Sequence, residues 1–344
     1  MQSIHSVTKQ DIASAIADIA PARYRVDQIF EGLYKHFFQD WNEFSNLPAR
    51  LIEFLSKNYS ISSLKLKKTI SSENGRTQKY LLQLSDNALI ETVLIKNVDR
   101  NTICISTQVG CAVGCAFCAT GAAGFSRNIN ASEIIDQVSF IANLLAKEEK
   151  NITNIVLMGM GEPFLNYEQT IKAVSIFNHP EMFDIGARRI TISTIGIPDK
   201  IRQFAEIGKQ YNLAISLHAP NDSIRKELIP IARNISIDEI LESTNYYIEK
   251  TKRRITYEYV LIQGINDSNV HALELAALLR KQKCHINLIA LNKNDHYPEN
   301  PPDITVIHDF IQILLDAGIP TTLRDSQGAG IQAGCGQLSG QYKK

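Results

Sequence analysis

The stretch Gly110-Cys111-Ala112-Val113-Gly114-Cys115-Ala116-Phe117-Cys118 sets three thiols within eight residues, spaced CxxxCxxC. It begins just after Thr102–Thr107, which reads as a strand, so the thiols fall on a loop that leads from a strand toward a helix. Thiolates are the natural ligands of iron–sulfur clusters. Three ligands on a four-iron cube leave one iron open, and an open metal position can chelate a small molecule. Gly110 and Gly114 let the backbone turn tightly around such a group. Zinc is the weaker alternative, because a structural zinc site takes four protein ligands and no fourth cysteine or histidine stands at ribbon spacing. Chance clustering of three structural cysteines is more remote still.

Outward from this loop, the chain alternates strand and helix. Thr102–Thr107, Ile155–Met158, Arg189–Ser193, Leu213–Leu217, Thr256–Leu261 and Ile286–Leu291 read as strands, most of them followed by helical periodicity. Asn130 and Ser236 each stand three residues before a glutamate, the signature of a helix start. Repeated strand–helix units imply a parallel sheet with right-handed crossovers. Six are too few for a closed eightfold barrel, so the fold class is α/β, a partial (β/α)6 TIM-like barrel over 97–344. Before it, 1–57 read as helical, and 61–96 read as a small antiparallel sheet with a tight turn at Asn74-Gly75. Residues 1–96 are therefore expected to form an accessory domain.

Composition sets the outer limits. The 344 residues are 44% hydrophobic and 21% charged, as in a soluble globular protein. No apolar run approaches the ~18 residues of a membrane span. The N-terminus lacks a basic region leading into an apolar one, so a cytoplasmic protein with no membrane association is expected. Lysine plus arginine equal aspartate plus glutamate, 36 against 36, so net charge gives no support for nucleic-acid binding. Local basic groups remain as candidate phosphate contacts: Lys65, Lys67 and Lys68; Arg188 and Arg189; Lys250, Lys252, Arg253 and Arg254. Solvated surface is the alternative for each.

In such barrels ligands sit at the C-terminal ends of the strands. Met158-Gly159-Met160-Gly161-Glu162-Pro163 follows the second strand, with Glu162 able to pair with an ammonium. Ser193 ends the third, Ser216-Leu217-His218 the fourth and Asn292 the sixth. Two further cysteines stand apart. Cys335 lies between glycines near the C-terminus, and Cys104 lies on the first strand, sharing a face with Thr102 and Ser106. That face suggests a polar barrel interior. Two unrelated free thiols is the competing reading of this pair. Cys284 starts no motif and reads as core.

CxxxCxxC on a first βα loop resembles the radical S-adenosylmethionine (SAM) superfamily. The fuller set CAVGCAFCATG, GMGEP, STIG, SLHAP, YEYVLIQGIND, Asn292 and GCGQLSG resembles the RlmN/Cfr group of RNA adenosine methyltransferases, over nearly the whole chain. The resemblance implies a [4Fe-4S] cluster on Cys111, Cys115 and Cys118. It implies SAM, two per turnover, bound by Gly161, Glu162, Ser193, Ser216, Leu217, His218 and Asn292. In that group one SAM methylates the reactive cysteine, here Cys335. A deoxyadenosyl radical from the second abstracts hydrogen from that methyl, and the methylene adds to adenine. Cys104 then releases the product and forms a transient disulfide with Cys335, while Glu91 acts as proton acceptor. The implied substrate is adenosine at C2 in 23S rRNA and tRNA, with flavodoxin or ferredoxin as electron donor and a monomeric enzyme. C8 methylation, and a non-catalytic iron–sulfur RNA-binding or redox-sensing protein, are the alternatives. One departure stands in the tail: Gly330 and Gly334 replace an acid and an alanine of the group's pattern, which leaves the rigidity of the tail open.

Overall fold

The computed structural model describes residues 1–324 and 327–340. Its main sheet has ten strands. In chain order they are β1 Lys65–Ser71, β2 Thr77–Gln83, β3 Leu89–Asn97, β4 Arg100–Cys104, β5 Asn154–Leu157, β6 Ile190–Thr194, β7 Asn212–Ser216, β8 Ile255–Leu261, β9 Cys284–Ala290 and β10 Thr321–Leu323. Every strand pairs with its sequence neighbours. β1 to β4 are antiparallel, and β4 to β10 are parallel.

Six of the parallel strands match the expected ones, with ends shifted by up to three residues. The seventh, β10, escaped the sequence because three residues show no periodicity. The small sheet is also not a separate layer. β3 and β4 form a hairpin with Val93 opposite Cys104 and Asn97 opposite Arg100, so residue 96 falls inside a strand rather than a linker. Continuous pairing removes two exposed sheet edges.

Helices α1 Lys9–Ala15, α2 Tyr24–Tyr34 and α3 Ala49–Asn58 pack around their own core of Ile12, Ile29, Phe30, Leu51 and Leu55. Helices α4 Ala131–Ala146, α5 Tyr167–Phe177, α6 Pro198–Ala205, α7 Ile237–Thr251, α8 Asn269–Leu279 and α9 Ile304–Asp316 are the crossovers of the parallel part. Capping boxes at Asn130 and Ser236 start α4 and α7, as expected. Among the described residues no helix is long and apolar enough to cross a membrane.

Alternation along the strands fixes what faces where. Ile155, Leu157, Ile190, Ile192, Leu213, Ile215, Ile286 and Leu288 are buried toward the helices. Each such side chain contributes ~1.5–3 kcal/mol on burial. The other face carries Asn154, Thr191, Thr256 and Asn287, which line one internal cavity with Val156 and with Thr102 and Cys104 of β4. Side chains from five strands meet in one space only if the sheet is curled, so the parallel part is an open, partial barrel with a partly polar lumen. Cys284 is buried in the core cluster, as its sequence context indicated.

Candidate active site

Past Cys104 the chain pairs Gln108–Gly110 with Phe125–Asn128, which brings the Cys111 amide 2.9 Å from the Gly124 carbonyl. Gly110 has φ of 74°, and a Cβ there would collide with that carbonyl. The Ala116 amide donates to Leu228 O at 2.9 Å, and the Cys118 amide to Cys115 O at 3.1 Å. The loop thus holds Cys111, Cys115 and Cys118 on one upper cavity at the C-terminal ends of the strands. Val113, Phe117, Leu228, Val260 and Leu291 pack around them. Burial pushes the Cys111 thiol up to about 12 and Cys115 well above its ordinary value. Thiols in such apolar surroundings ionise on metal binding and release protons.

The donor set fits a thiolate-held iron–sulfur cluster, which Cys111, Cys115 and Cys118 would hold at this cavity. No three His, Cys, Asp or Glu side chains among the described residues converge on a single-ion position. Three cysteine thiols on one loop lining one cavity are the donors such a cluster takes.

Gly161, Glu162, Ser193, Ser216, His218 and Asn292 line the same cavity. Leu217 does not: its side chain is fully buried in the main core. Alternation accounts for this, because Ser216 and His218 take the inward positions. Glu162 is buried, and its oxygens accept from the Phe164 and Ile195 amides at 2.9 Å each. Burial raises its pKa to about 7. His218 Nδ1 accepts from the Val260 amide at 3.0 Å, which leaves the proton on Nε2. Burial, with Arg225 adding to it, lowers His218 to about 3.

The tail brings Cys335 to the same cavity. Asn292 donates its amide to the Cys335 carbonyl at 3.0 Å. A Cβ on Gly334 would sit 2.9 Å from that Asn292 nitrogen, so glycine permits the approach. The Ala119 amide holds Gly336 O at 2.7 Å, Thr120 holds Leu338 O at 2.5 Å, and Gln337 bonds both the Gly334 amide and Lys293 O. The tail is therefore tied down on both sides of Cys335 despite its glycines.

Glu91 lies across the tail from the upper cavity. Its Oε1 pairs with Lys79 at 3.0 Å, and its Oε2 accepts the Ser339 and Gly340 amides at 2.8 and 3.3 Å. Lys79 also donates to Gln332 O at 2.9 Å. Glu91 and Lys79 line a polar side chamber with Lys68, Asn294 and His296. Cys104 lies below, in the lumen, which Cys335 also lines. The two thiols that sequence spacing could not relate are thus brought together.

Two residues at this junction were missed. Glu258, on the inward face of β8, and Arg324, just after β10, line both the upper cavity and the lumen. A glutamate inside the apolar run of β8 was a readable signal. Arg324 depended on a strand that was not. Two basic clusters fall elsewhere than expected for RNA contacts at the mouth. Arg188 and Arg189 precede β6, and Lys250, Lys252, Arg253 and Arg254 precede β8, at the opposite end of the strands. Arg253 bonds Asn212, and Lys250 pairs with Glu206 at 3.0 Å. Lys65, Lys67 and Lys68 stand on the sheet's edge strand β1, and Lys68 lines the side chamber.

A curled parallel sheet with three thiols on its first βα loop defines a cluster-binding radical enzyme, and the sequence profile of the radical SAM superfamily matches residues 105–276. The probable dual-specificity RNA methyltransferase RlmN of Dictyoglomus thermophilum is 46% identical over 344 residues, covering 100% of this chain and 98% of that protein. The ribosomal RNA large subunit methyltransferase N of Nitrosopumilus maritimus is 43% identical, covering 98% of each. A radical SAM methyltransferase structure from Sphaerobacter thermophilus superposes with a TM-score of 0.96 at 42% identity, covering 99% of this chain and 100% of that one. The chain belongs to the RlmN family of radical SAM RNA methyltransferases. Its cofactors are accordingly a [4Fe-4S] cluster and SAM.

Two outcomes follow from the site. Gly110→Ala breaks the Cys111–Gly124 link, and iron and sulfide assays on reconstituted protein should show most of the cluster lost; wild-type iron content would refute this account of the loop. His218 titrates lower in the folded than in the unfolded state, so its contribution to stability is full above pH 6.5 and shrinks as pH falls toward about 3. It accounts for about 2 kcal/mol of stability loss between pH 7 and pH 5. Urea unfolding of His218→Gln should lose correspondingly less over that interval, and equal losses would rule out this source.

Proposed function

We propose that this chain methylates adenosine at C2 in 23S rRNA and tRNA by a radical SAM reaction that passes through a methylated Cys335. The observation that carries this reading is the position of Cys335 at the junction of the upper cavity and the lumen, with Cys104 in the lumen. The curated relatives named for RNA methylation support the substrate class.

C2 of adenine is not nucleophilic, so it cannot take a methyl cation from a sulfonium; carbon-radical chemistry is needed. The cluster, bound by Cys111, Cys115 and Cys118, supplies the one-electron reduction of SAM that begins such chemistry. The rest falls to the chain. Cys335 accepts a methyl group on Sγ as thiolate. Tethering keeps that carbon beside the cavity, which raises its effective concentration toward adenine. Glu162, Ser193, Ser216, His218 and Asn292 hold SAM at the strand ends. Cys104, as thiolate, attacks Cys335 Sγ and closes the disulfide, while the product carbon leaves with the bonding pair and takes up a proton.

Glu91 is the proton acceptor in this reading, and its bonds to Ser339 and Gly340 make it a fastener of the tail as well. The adenosine leaves its stack to reach the site, with Lys65, Lys67 and Lys68 facing the RNA backbone. Two SAM molecules are consumed per turnover. A flavodoxin or ferredoxin supplies the electron to a monomeric, cytoplasmic enzyme.

The test is nucleoside mass spectrometry on rRNA treated with reconstituted enzyme, SAM and reductant. Wild type should yield 2-methyladenosine and 5′-deoxyadenosine. Cys335→Ala should lose methylation at least a thousandfold. Cys104→Ala should accumulate protein-linked RNA. Full turnover by Cys104→Ala would refute the resolving role, and 8-methyladenosine would refute the regiochemistry.

A further inference from the structure

The lumen beneath Cys335 has a volume of about 500 Å³. Closed (β/α) barrels fill this space with branched aliphatic side chains. Here Thr102, Asn154, Thr191, Thr256 and Asn287 share the lining with Val93, Ile95 and Val156, and the space is left open. Its lower rim includes Asn97 and Arg100, both exposed, at the β3–β4 hairpin. Its upper end meets Arg324 and both thiols. Cys335 lines the upper cavity as well, but Cys104 lines the lumen alone. The resolving thiol therefore faces away from the side where cluster, SAM and RNA act.

A reaction that ends in a Cys104–Cys335 disulfide needs two electrons before it can start again. We propose that the lumen admits a low-mass thiol from the N-terminal end of the barrel, which reduces this disulfide while the upper cavity is occupied. The inference rests on the disulfide of the preceding reading. The first thiolate attacks Cys104 Sγ, forms a mixed disulfide there and expels Cys335 as thiolate beside the Arg324 guanidinium. A second thiolate attacks the outer sulfur of the mixed disulfide and expels Cys104 as thiolate. Both protein thiolates take up protons. Two thiols become one small disulfide, and the protein disulfide gains two electrons. Arg100 at the rim and Arg324 at depth favour an anionic thiol, since opposite charge raises local concentration. A folded protein dithiol does not fit a channel of this size.

Labelling of Cys104 tests the route. Cluster-loaded Cys335→Ala protein is treated with methyl methanethiosulfonate, with and without saturating SAM, and Cys104 modification is followed by peptide mass spectrometry. SAM should change the rate less than twofold. Thr191→Phe and Thr256→Phe, which fill the lumen from two different strands, should each slow it at least tenfold, while Thr191→Ala should not. Iron content and melting temperature identify any variant that has not folded, and the remaining one still decides.

Labelling that SAM blocks and phenylalanine leaves unchanged would overturn the route, as would a Cys104 sealed from the reagent altogether. In wild-type protein carrying the disulfide, glutathione should reduce it, and the phenylalanine variants should slow that at least tenfold. Faster reduction by thioredoxin than by glutathione, insensitive to both variants, would also overturn the proposal. If peptide maps after one turnover contain no Cys104–Cys335 disulfide, the preceding reading fails instead, and the proposal falls with it.

Discussion

A buried ion pair decides where the reactive sulfur sits. Lys79 and Glu91 face each other across β2 and β3, both almost fully buried, and between them they grip the tail on either side of Cys335. Two charges removed from water cost several kcal/mol each unless their remaining bonding capacity is filled. Here it is filled by tail backbone: a carbonyl at Gln332 and amides at Ser339 and Gly340. Detaching the tail would leave those charges underbonded, so the pair's own desolvation holds the tail in place. This is why a glycine-rich segment can be orderly. Its fixed geometry comes from partners outside it, with Asn292, Thr120 and Gln337 adding the rest.

The accessory sheet gains a purpose from the same contact. β1 to β3 extend the barrel sheet through the β3–β4 hairpin, so Glu91 on β3 and Cys104 on β4 share one rigid pleated surface. Ser106 ties that surface to the SAM-side loop: its hydroxyl donates to Glu91 O at 2.7 Å and accepts the Met160 amide at 2.9 Å. Cluster loop, SAM ledge and tail are thus referenced to a common scaffold. The tethered reaction proposed above needs this, because a displacement of about 1 Å can cost a hundredfold in rate.

Much of this was legible in the residues. The thiol spacing, the six longer strands, the helix caps at Asn130 and Ser236, and the polar residues at strand ends all follow local rules that a single chain displays. What stayed hidden was non-local. β10 is three residues long and exists through pairing with β9, so Arg324 had no element to belong to. Leu217 sat inside a functional motif, yet pleat alternation turns it outward. Arg188, Arg189, Arg253 and Arg254 looked like a nucleic-acid surface by composition, but strand direction puts them at the far end of the barrel. The relation of Cys104 to Cys335, over two hundred residues away, required the curl of the sheet.

In the reaction proposed above, the burial of Cys104 bears on when it can act. Burial holds the Cys104 thiol up at about 12, with Cys335 adding to the effect and Arg324 opposing it. A thiol held so high is almost wholly un-ionised at neutral pH. The resolving step proposed above needs the thiolate, so burial holds Cys104 back from it. Arg324 works against that effect, and in the proposed reaction its guanidinium is the group placed to stabilise the Cys104 thiolate that the last step requires.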